Sequence, residues 1–570
     1  MQSHYNPTEQ TWYGESLPSV LNPAAGIGRI VLDVLARSPD RVIQINADTG
    51  RQTTCGEMRR RIVRVALHLR RLGYRRGDFV SLACGNGEQV VPVLIGCWVL
   101  GLAVNPLAPV FEKADFVHMM KQTQSGLVFC DPANAGVVRE AVHEAITHGA
   151  QLFAMGPAAE GVHRSVDELL EPIDGEECFR AEYLGDASKL LAMVLCSSGT
   201  TGLPKGVCLS HAHFILIDRS VPYCSDASDG PIFNFSSLFW ATGIFAVMTS
   251  LLHSRPRVLT SKPYQPDLLL DLIETYRIEN LFTPPSYVST LLAHPRTDRA
   301  DLSSVRQWQL GGSRVPTEMT LRLQKLLPQG HTRSIYGSSE IGFITRNDVT
   351  VKPGSVGPLT TNVQCRVLDE DGQPVGVGVA GELVLRHRYM FLGYLHNPEA
   401  TANALTEDGF FRSGDIGYID ADGSLYVVDR IKDIIKYNNY QVSPSDLECI
   451  IQRMDGVKQV CVIGVPAPDG SSDLPMAVVE RKVGGGGGGA APLREEDIVR
   501  HVEEQVADFK RLRGGVRFVD SFPMTPSGKI LRLAVRKAVI KQSASTNGGN
   551  SVATCWRLFL NRSGSILKTH

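Results

Sequence analysis

Ten consecutive residues, Ser197-Ser198-Gly199-Thr200-Thr201-Gly202-Leu203-Pro204-Lys205-Gly206, bring together four hydroxyls, three glycines and one lysine. Glycines let backbone N–H groups approach phosphate oxygens, hydroxyls add donors, and a lysine supplies a point charge. The pattern therefore fits a loop that wraps a polyphosphate. It is not a Walker loop, which needs Gly-x-x-x-x-Gly-Lys-[Ser/Thr]. Counting on from Gly199, the sixth residue is Pro204, and Lys205 is followed by Gly206.

The loop follows an apolar run, Leu190–Leu195, that reads as a buried strand. From about residue 25 to about residue 430, strand-length apolar runs such as 79–83, 126–129, 280–283 and 307–310 alternate with helical stretches. That alternation predicts an α/β fold of layered α/β subdomains. The runs 382–386 and 425–428 alternate apolar and polar residues, as strands of a barrel-like β subdomain would. After Arg430 the texture changes to a small α+β unit. Ser443-Pro444-Ser445-Asp446 is a helix start running to about Met454, the run 460–465 is a strand, and a second helix spans about Glu495–Phe509. A strand at Val516–Val519, the loop Pro523–Lys529 and a last helix complete it. The expected organisation is a large N-terminal domain over 1–431, a small mobile C-terminal domain over 432–541 and a disordered Ser/Asn/Gly-rich tail over 542–570. The six glycines Gly484–Gly489 read as slack between a strand and a helix.

At 570 residues the chain exceeds what one core supports. A formal net charge of -1 argues against a nucleic acid or an anionic membrane as partner. Twelve cysteines without a Cys-x-x-Cys pair read as small core residues in a reducing compartment. Val90–Val110 carries no charge over 21 residues, a length that could cross a bilayer. Pro92, Pro106 and Pro109 and the missing flanking cations oppose that. It reads instead as a buried helix to about Leu100 and a short strand, Leu102–Val104, so no integral membrane segment is expected.

The loop at 197–206 resembles the signature loop of the acyl-adenylate-forming enzymes: acyl- and aryl-CoA ligases, peptide-synthetase adenylation domains and beetle luciferases. Beetle luciferases and plant coumarate–CoA ligases are nearest in texture, and separated motifs follow the family's order from about residue 25 to about residue 540. The resemblance implies two half-reactions with ATP, Mg2+ and coenzyme A as co-substrate. A carboxylate attacks the α-phosphorus and expels pyrophosphate, and a thiolate then attacks the acyl-adenylate. Such chemistry needs positioning and charge neutralisation more than covalent help.

Carried over residue by residue, the resemblance makes Ser197, Ser198, Gly199, Thr200, Thr201, Gly202 and Lys205 the phosphate cradle, with Thr200 among the catalytic residues. Glu340, in Tyr336-Gly337-Ser338-Ser339-Glu340, becomes the magnesium ligand, with Ser339 where the family has threonine. Mg2+ wants hard oxygen ligands and keeps waters, so one carboxylate beside phosphates suffices. Tyr336, Gly337 and the turn Gly311-Gly312-Ser313 would face the adenine, while Asp415 and Arg430 would clamp the ribose. Two lysines would take turns: Lys529 in Pro526-Ser527-Gly528-Lys529 for adenylation, and Lys436 for the thiol step. Asn439 stands where the family has a glycine lining the pantetheine tunnel.

The acyl pocket would be walled by Trp240, Thr242, Ala246, Ser313, Gly337, Phe343 and Ile344, an apolar set suited to a hydrophobic fatty or aryl acid. Trp240 replaces a gate histidine common in the family. Luciferases carry an arginine six places after the residue matching His211, and here Ile217 stands there. An acid–CoA ligase is thus the expectation, with a luciferase-like oxygenase and an adenylation-only or non-catalytic ligand-binding relative as alternatives. A small carboxylic acid is the expected partner, with no protein partner evident. The expected compartment is cytoplasmic, with peroxisomal as the family-habit alternative, although Lys568-Thr569-His570 is not a peroxisomal tripeptide.

Overall fold

A computed structural model describes residues 3–18, 22, 25–159, 161–197, 204–215, 229–348, 352–438, 440–467, 472–482, 493–524 and 530–546. Of the residues singled out above, Ser198–Leu203, Ile217, Asn439, Gly484–Gly489 and Pro526–Lys529 lie outside these ranges, as does the chain after Thr546. Two compact units, Met1–Val427 and Val428–His570, divide the chain inside the strand Leu425–Arg430.

Three sheets build the first unit. One has eight strands in the order Gly393–Tyr394, Gly206–Ser210, Leu191–Cys196, Ala103–Pro106, Phe79–Ala83, Leu127–Cys130, Gln151–Ala154 and Arg164–Ser165. Its middle is parallel; Leu191–Cys196 joins it in parallel beside Ala103–Pro106, and Gly206–Ser210 then pairs antiparallel with Leu191–Cys196. A second sheet, also of eight strands, runs Gly342–Asp348, His331–Ser338, Gln307–Leu310, Asn280–Thr283, Ile232–Asn234, Arg257–Leu259, Val42–Asn46 and Gln52–Thr54. The strands anticipated as barrel-like belong to an antiparallel sheet of six: His4–Asn6, Thr11–Tyr13, Gln364–Leu368, Gly381–Arg386, Phe411–Ile419 and Leu425–Arg430.

The uncharged stretch forms a helix, Val90–Leu100, and a strand, Ala103–Pro106, as the prolines implied. Ten of the eleven helix residues are buried, so its lack of charge reflects packing on all sides. Trp98 explains part of its purpose. The indole is fully buried and its N–H donates to the carbonyl of Ala192 at 2.8 Å, while the Asn105 amide donates to the carbonyl of Val194 at 2.8 Å. Both bonds fix the strand that feeds the phosphate loop. Among the described residues, no helix is long and apolar enough to cross a membrane.

In the second unit a hairpin, Ile435–Tyr437 with Tyr440–Val442, precedes the helix Pro444–Ile451. Ser443 caps that helix by accepting from the N–H of Asp446, as its sequence predicts. A three-stranded sheet, Val457–Pro466, Asp473–Arg481 and Gly515–Val519, carries the core, with helices Glu495–Glu503 and Arg532–Thr546.

Candidate active site

Lys205 is placed by the hairpin that follows the buried strand. Cys196 pairs with Gly206, the N–H of Ser197 donates to the carbonyl of Lys205 at 2.8 Å, and the N–H of Lys205 donates to Ser197 Oγ at 3.2 Å. This neck brings the two described ends of the loop together. His118 adds a bond from Nε2 to the carbonyl of Pro204 at 2.8 Å. The Lys205 side chain is exposed and forms no ion pair among the described residues. Its ammonium lies 4.9 Å from the centre of the Tyr394 ring, a cation–π distance.

Glu340 follows the strand His331–Ser338 of the second sheet. One carboxylate oxygen accepts from the Tyr394 hydroxyl at 3.0 Å, and its backbone carbonyl accepts from the N–H of Phe391 at 2.7 Å. The second oxygen has no partner among the described residues. Among those residues no group of three or more His, Cys, Asp or Glu could hold a metal. A single carboxylate with one oxygen to spare fits a magnesium ion that takes its other ligands from phosphate and water.

Four residues earlier on the same strand, Tyr336 faces a different acid. Its hydroxyl donates to Asp415 Oδ2 at 2.5 Å, and Asp415 is only 7% exposed. Burial, with the neighbouring Asp415 charge second, pushes the Tyr336 phenol up, so it remains a donor. Asp415 is positioned across the antiparallel sheet: its N–H donates to Ser413 Oγ, whose hydroxyl donates to the carbonyl of Leu383. A carboxylate held this way suits two vicinal ribose hydroxyls. Between Tyr336 and Glu340 the strand bulges at Gly337, where a Cβ would lie 2.4 Å from the carbonyl oxygen of Gly342. No other residue fits that turn. Beside it, Gly311-Gly312-Ser313 follows the strand Gln307–Leu310, and Gly312 turns with a φ of +86°.

Trp240 is the residue before the helix Ala241–His253 and packs edge-on against Phe239 at 4.7 Å. Thr242 is committed locally, its hydroxyl donating to Ser236 Oγ at 3.0 Å and its carbonyl accepting from Asn234. Ala246 and Ile344 are buried, and Phe343 packs on Phe245 at 4.5 Å. Beside this helix lies a small cavity with room for about one water molecule. Leu195, Leu209, Phe214, Ala241, Ile244, Phe245, His213 and Ser339 line it, so only Ser339 of the anticipated residues borders it.

Two contributors were not legible in the sequence. Tyr394 sits in an edge strand of two residues, too short for any periodicity to announce. His213 is buried, and its Nδ1–H donates to the carbonyl of Tyr389 at 2.8 Å. Burial lowers its pKa to about 4, so the ring is neutral. Arg430 and Lys436 belong to the second unit. There Lys436 is an exposed hairpin residue opposite Gln441.

Comparison with known proteins identifies the family. Residues 32–395 match the model of the AMP-binding enzymes, and residues 446–529 that of the AMP-binding enzyme C-terminal domain. The chain is 28% identical over 515 residues to 4-coumarate-CoA ligase 1 of Narcissus pseudonarcissus, covering 87% of this chain and 90% of that one. It is equally 28% identical to acyl-CoA synthetase 7 of Caenorhabditis elegans, over 88% and 94% of the two chains. The structure of ATP-bound MatB from Rhodopseudomonas palustris superposes with a TM-score of 0.79 at 25% identity, over 90% of this chain and 99% of that one. A family model spanning more than half its length shows that the chain belongs to the AMP-binding enzymes.

Proposed function

We propose that this chain is an ATP-dependent acid–CoA ligase that activates a hydrophobic fatty or aryl acid. In the first half-reaction the acid's carboxylate oxygen bonds to the α-phosphorus as the bond to the bridging oxygen breaks, releasing pyrophosphate. In the second, a thiolate bonds to the acyl carbon and AMP leaves. Asp415 anchors the nucleoside, the 197–205 loop and Lys205 hold the phosphates, and Glu340 keeps one oxygen for magnesium, which would offset charge building on the leaving pyrophosphate. Lys529 and Lys436 supply a cation to the first and second steps respectively.

The observation that carries the reading is the separation of Lys205 and Glu340. Each projects from a different sheet toward Tyr394 without neutralising the other, which leaves one cation and one anion ready for a metal-bound triphosphate. The acid class rests on the apolar side chains that the family resemblance places at the acyl wall, of which Ala246 and Ile344 are buried and Phe343 packs on Phe245. The test is pyrophosphate and thioester formation by purified protein with Mg2+ and ATP over a panel of fatty and aryl acids, with and without coenzyme A. Pyrophosphate with matching thioester is expected. No pyrophosphate from any acid defeats the reading, and pyrophosphate without thioester removes the CoA step from it.

A further inference from the structure

Tyr394 touches both charged groups of the phosphate site and is assigned no role by the reading above, on which this inference rests. Its segment is stitched into two sheets at once. Toward the first, Val207 pairs with Tyr394 and Cys208 with Gly393, while the N–H groups of Leu392 and Leu395 donate to the carbonyls of Cys208 and Gly206. Toward the second, the N–H of Phe391 donates to the carbonyl of Glu340 at 2.7 Å. The Tyr394 N–H donates to Thr401 Oγ1 at 2.8 Å, and the Phe391 ring packs edge-on at 5.2 Å. Backbone and ring are thereby fixed between the exit of the phosphate loop and the carboxylate turn.

The ring then offers two different surfaces to two opposite charges. Its hydroxyl donates to Glu340 Oε1, and its face lies 4.9 Å from the Lys205 ammonium. A lysine and a glutamate this close to one ring would gain from forming an ion pair, and that pair would consume the charges that phosphate and metal require. With the carboxylate held at the hydroxyl and the ammonium over the face, each charge has its own hold on the ring, and the two form no ion pair among the described residues.

We propose that Tyr394 is a positioning residue, a spacer that aims Glu340 at the metal of the metal–nucleotide complex and holds Lys205 off it. The hydroxyl serves the carboxylate and the ring serves the lysine, so two substitutions separate the roles. Tyr394→Phe keeps the ring and loses the hydrogen bond. Tyr394→Leu loses both.

The experiment is Mn2+·ATP binding to the full-length protein, followed by calorimetry and by the Mn2+ paramagnetic signal, with no acid or coenzyme A present. Tyr394→Phe is expected to weaken Mn2+·ATP binding about 10-fold, within the range for groups that orient a metal ligand, and to leave metal-free ATP binding within about 2-fold. Tyr394→Leu should weaken both, because a freed Lys205 pairs with Glu340. Adding Lys205→Met to Tyr394→Leu should then recover part of the Mn2+ affinity. Thermal unfolding of each variant, within a few degrees of wild type, shows that the fold persists. Unchanged Mn2+·ATP affinity in Tyr394→Phe overturns the inference, as does equal weakening of metal-free ATP. These measurements need no turnover, so an inactive acid panel would defeat the ligase reading and leave this one standing.

Discussion

Two tyrosine–carboxylate pairs stand four residues apart along one strand and its turn, and they are built differently. Tyr336 and Asp415 meet at 2.5 Å around a buried acid that is tied back to the six-stranded sheet through Ser413. Tyr394 and Glu340 meet at 3.0 Å around a half-exposed acid that keeps one oxygen without a described partner. A buried hydrogen bond to a charge is strong and costly to lose, whereas a half-exposed one trades easily with water. On the proposed reading, the nucleoside end is set before any ligand arrives, and the phosphate end stays able to exchange partners, as a site that binds and releases a metal–pyrophosphate complex would need to.

The comparison is broken most directly at the acids themselves. Glu340→Gln keeps the shape and removes the charge, and should lower the rate of pyrophosphate formation by roughly 10²–10³, the loss typical of one preorganised charge-stabilising group, with a loss of metal–ATP affinity of at least about 10-fold that vanishes when the metal is left out. Asp415→Ala should act on ATP binding whether or not metal is present. Two charge-assisted bonds to a ribose, at about 1.5–3 kcal/mol each, correspond to a rise of about 10²–10⁴-fold in the KM for ATP, with a smaller effect on kcat. Steady-state kinetics at high and low Mg2+ decides it. If the losses in both variants depend on Mg2+ alike, the two ends are not distinct.

A finer break uses the phenols. Tyr336→Phe leaves a buried carboxylate without one of its donors and should reduce folding stability by about 1.5–3 kcal/mol in urea unfolding. It should not alter the magnesium requirement. Tyr394→Phe should do the opposite, with stability changed by less than about 1 kcal/mol, because water can replace the lost donor at a half-exposed carboxylate. Equal stability losses would show that burial does not separate the pairs.

How much of this was legible in the sequence follows from the range of the interactions. The helix at 90–100, the strand before the phosphate loop, and the Ser443 cap are encoded locally, by composition and by residues within a turn of each other. Asp415 and Glu340 stand out in the sequence through their motifs, as candidates whose roles remain part of the proposal. Their tyrosine partners, 79 and 54 residues away in the chain, were not legible as partners, because nothing in the sequence spacing of Tyr336 or Tyr394 says which acid it meets. The second helix of the small unit was expected to reach Phe509 but stops at Glu503. No glycine or proline marks that break. Phe509 instead stacks on Tyr440 at 4.5 Å, a tertiary contact that helical continuity would have to accommodate.

The smallest expected effect concerns pH, and it sharpens the view that the carboxylate turn is the adjustable end. His213 lies beneath that turn, with Cε1 3.6 Å from where a Gly342 Cβ would be, and His387 is buried nearby. Burial lowers the pKa of each to about 4, with the His213 neighbour adding to the effect at His387. In the unfolded chain both return to about 6.5. Between about pH 6.5 and pH 4 the unfolded state therefore binds protons that the folded state does not, so stability rises with pH across this window and is flat above it. The slope is about 1.4 kcal/mol per pH unit for each histidine. At pH 7.5 neither histidine contributes to the slope, so His213→Gln should leave it unchanged there. At pH 5 the same variant should lower the slope of unfolding free energy against pH by about one proton. Equal slopes at pH 5 would mean that the His213 ring is charged in the folded protein, and that the turn carrying Glu340 rests on a different support.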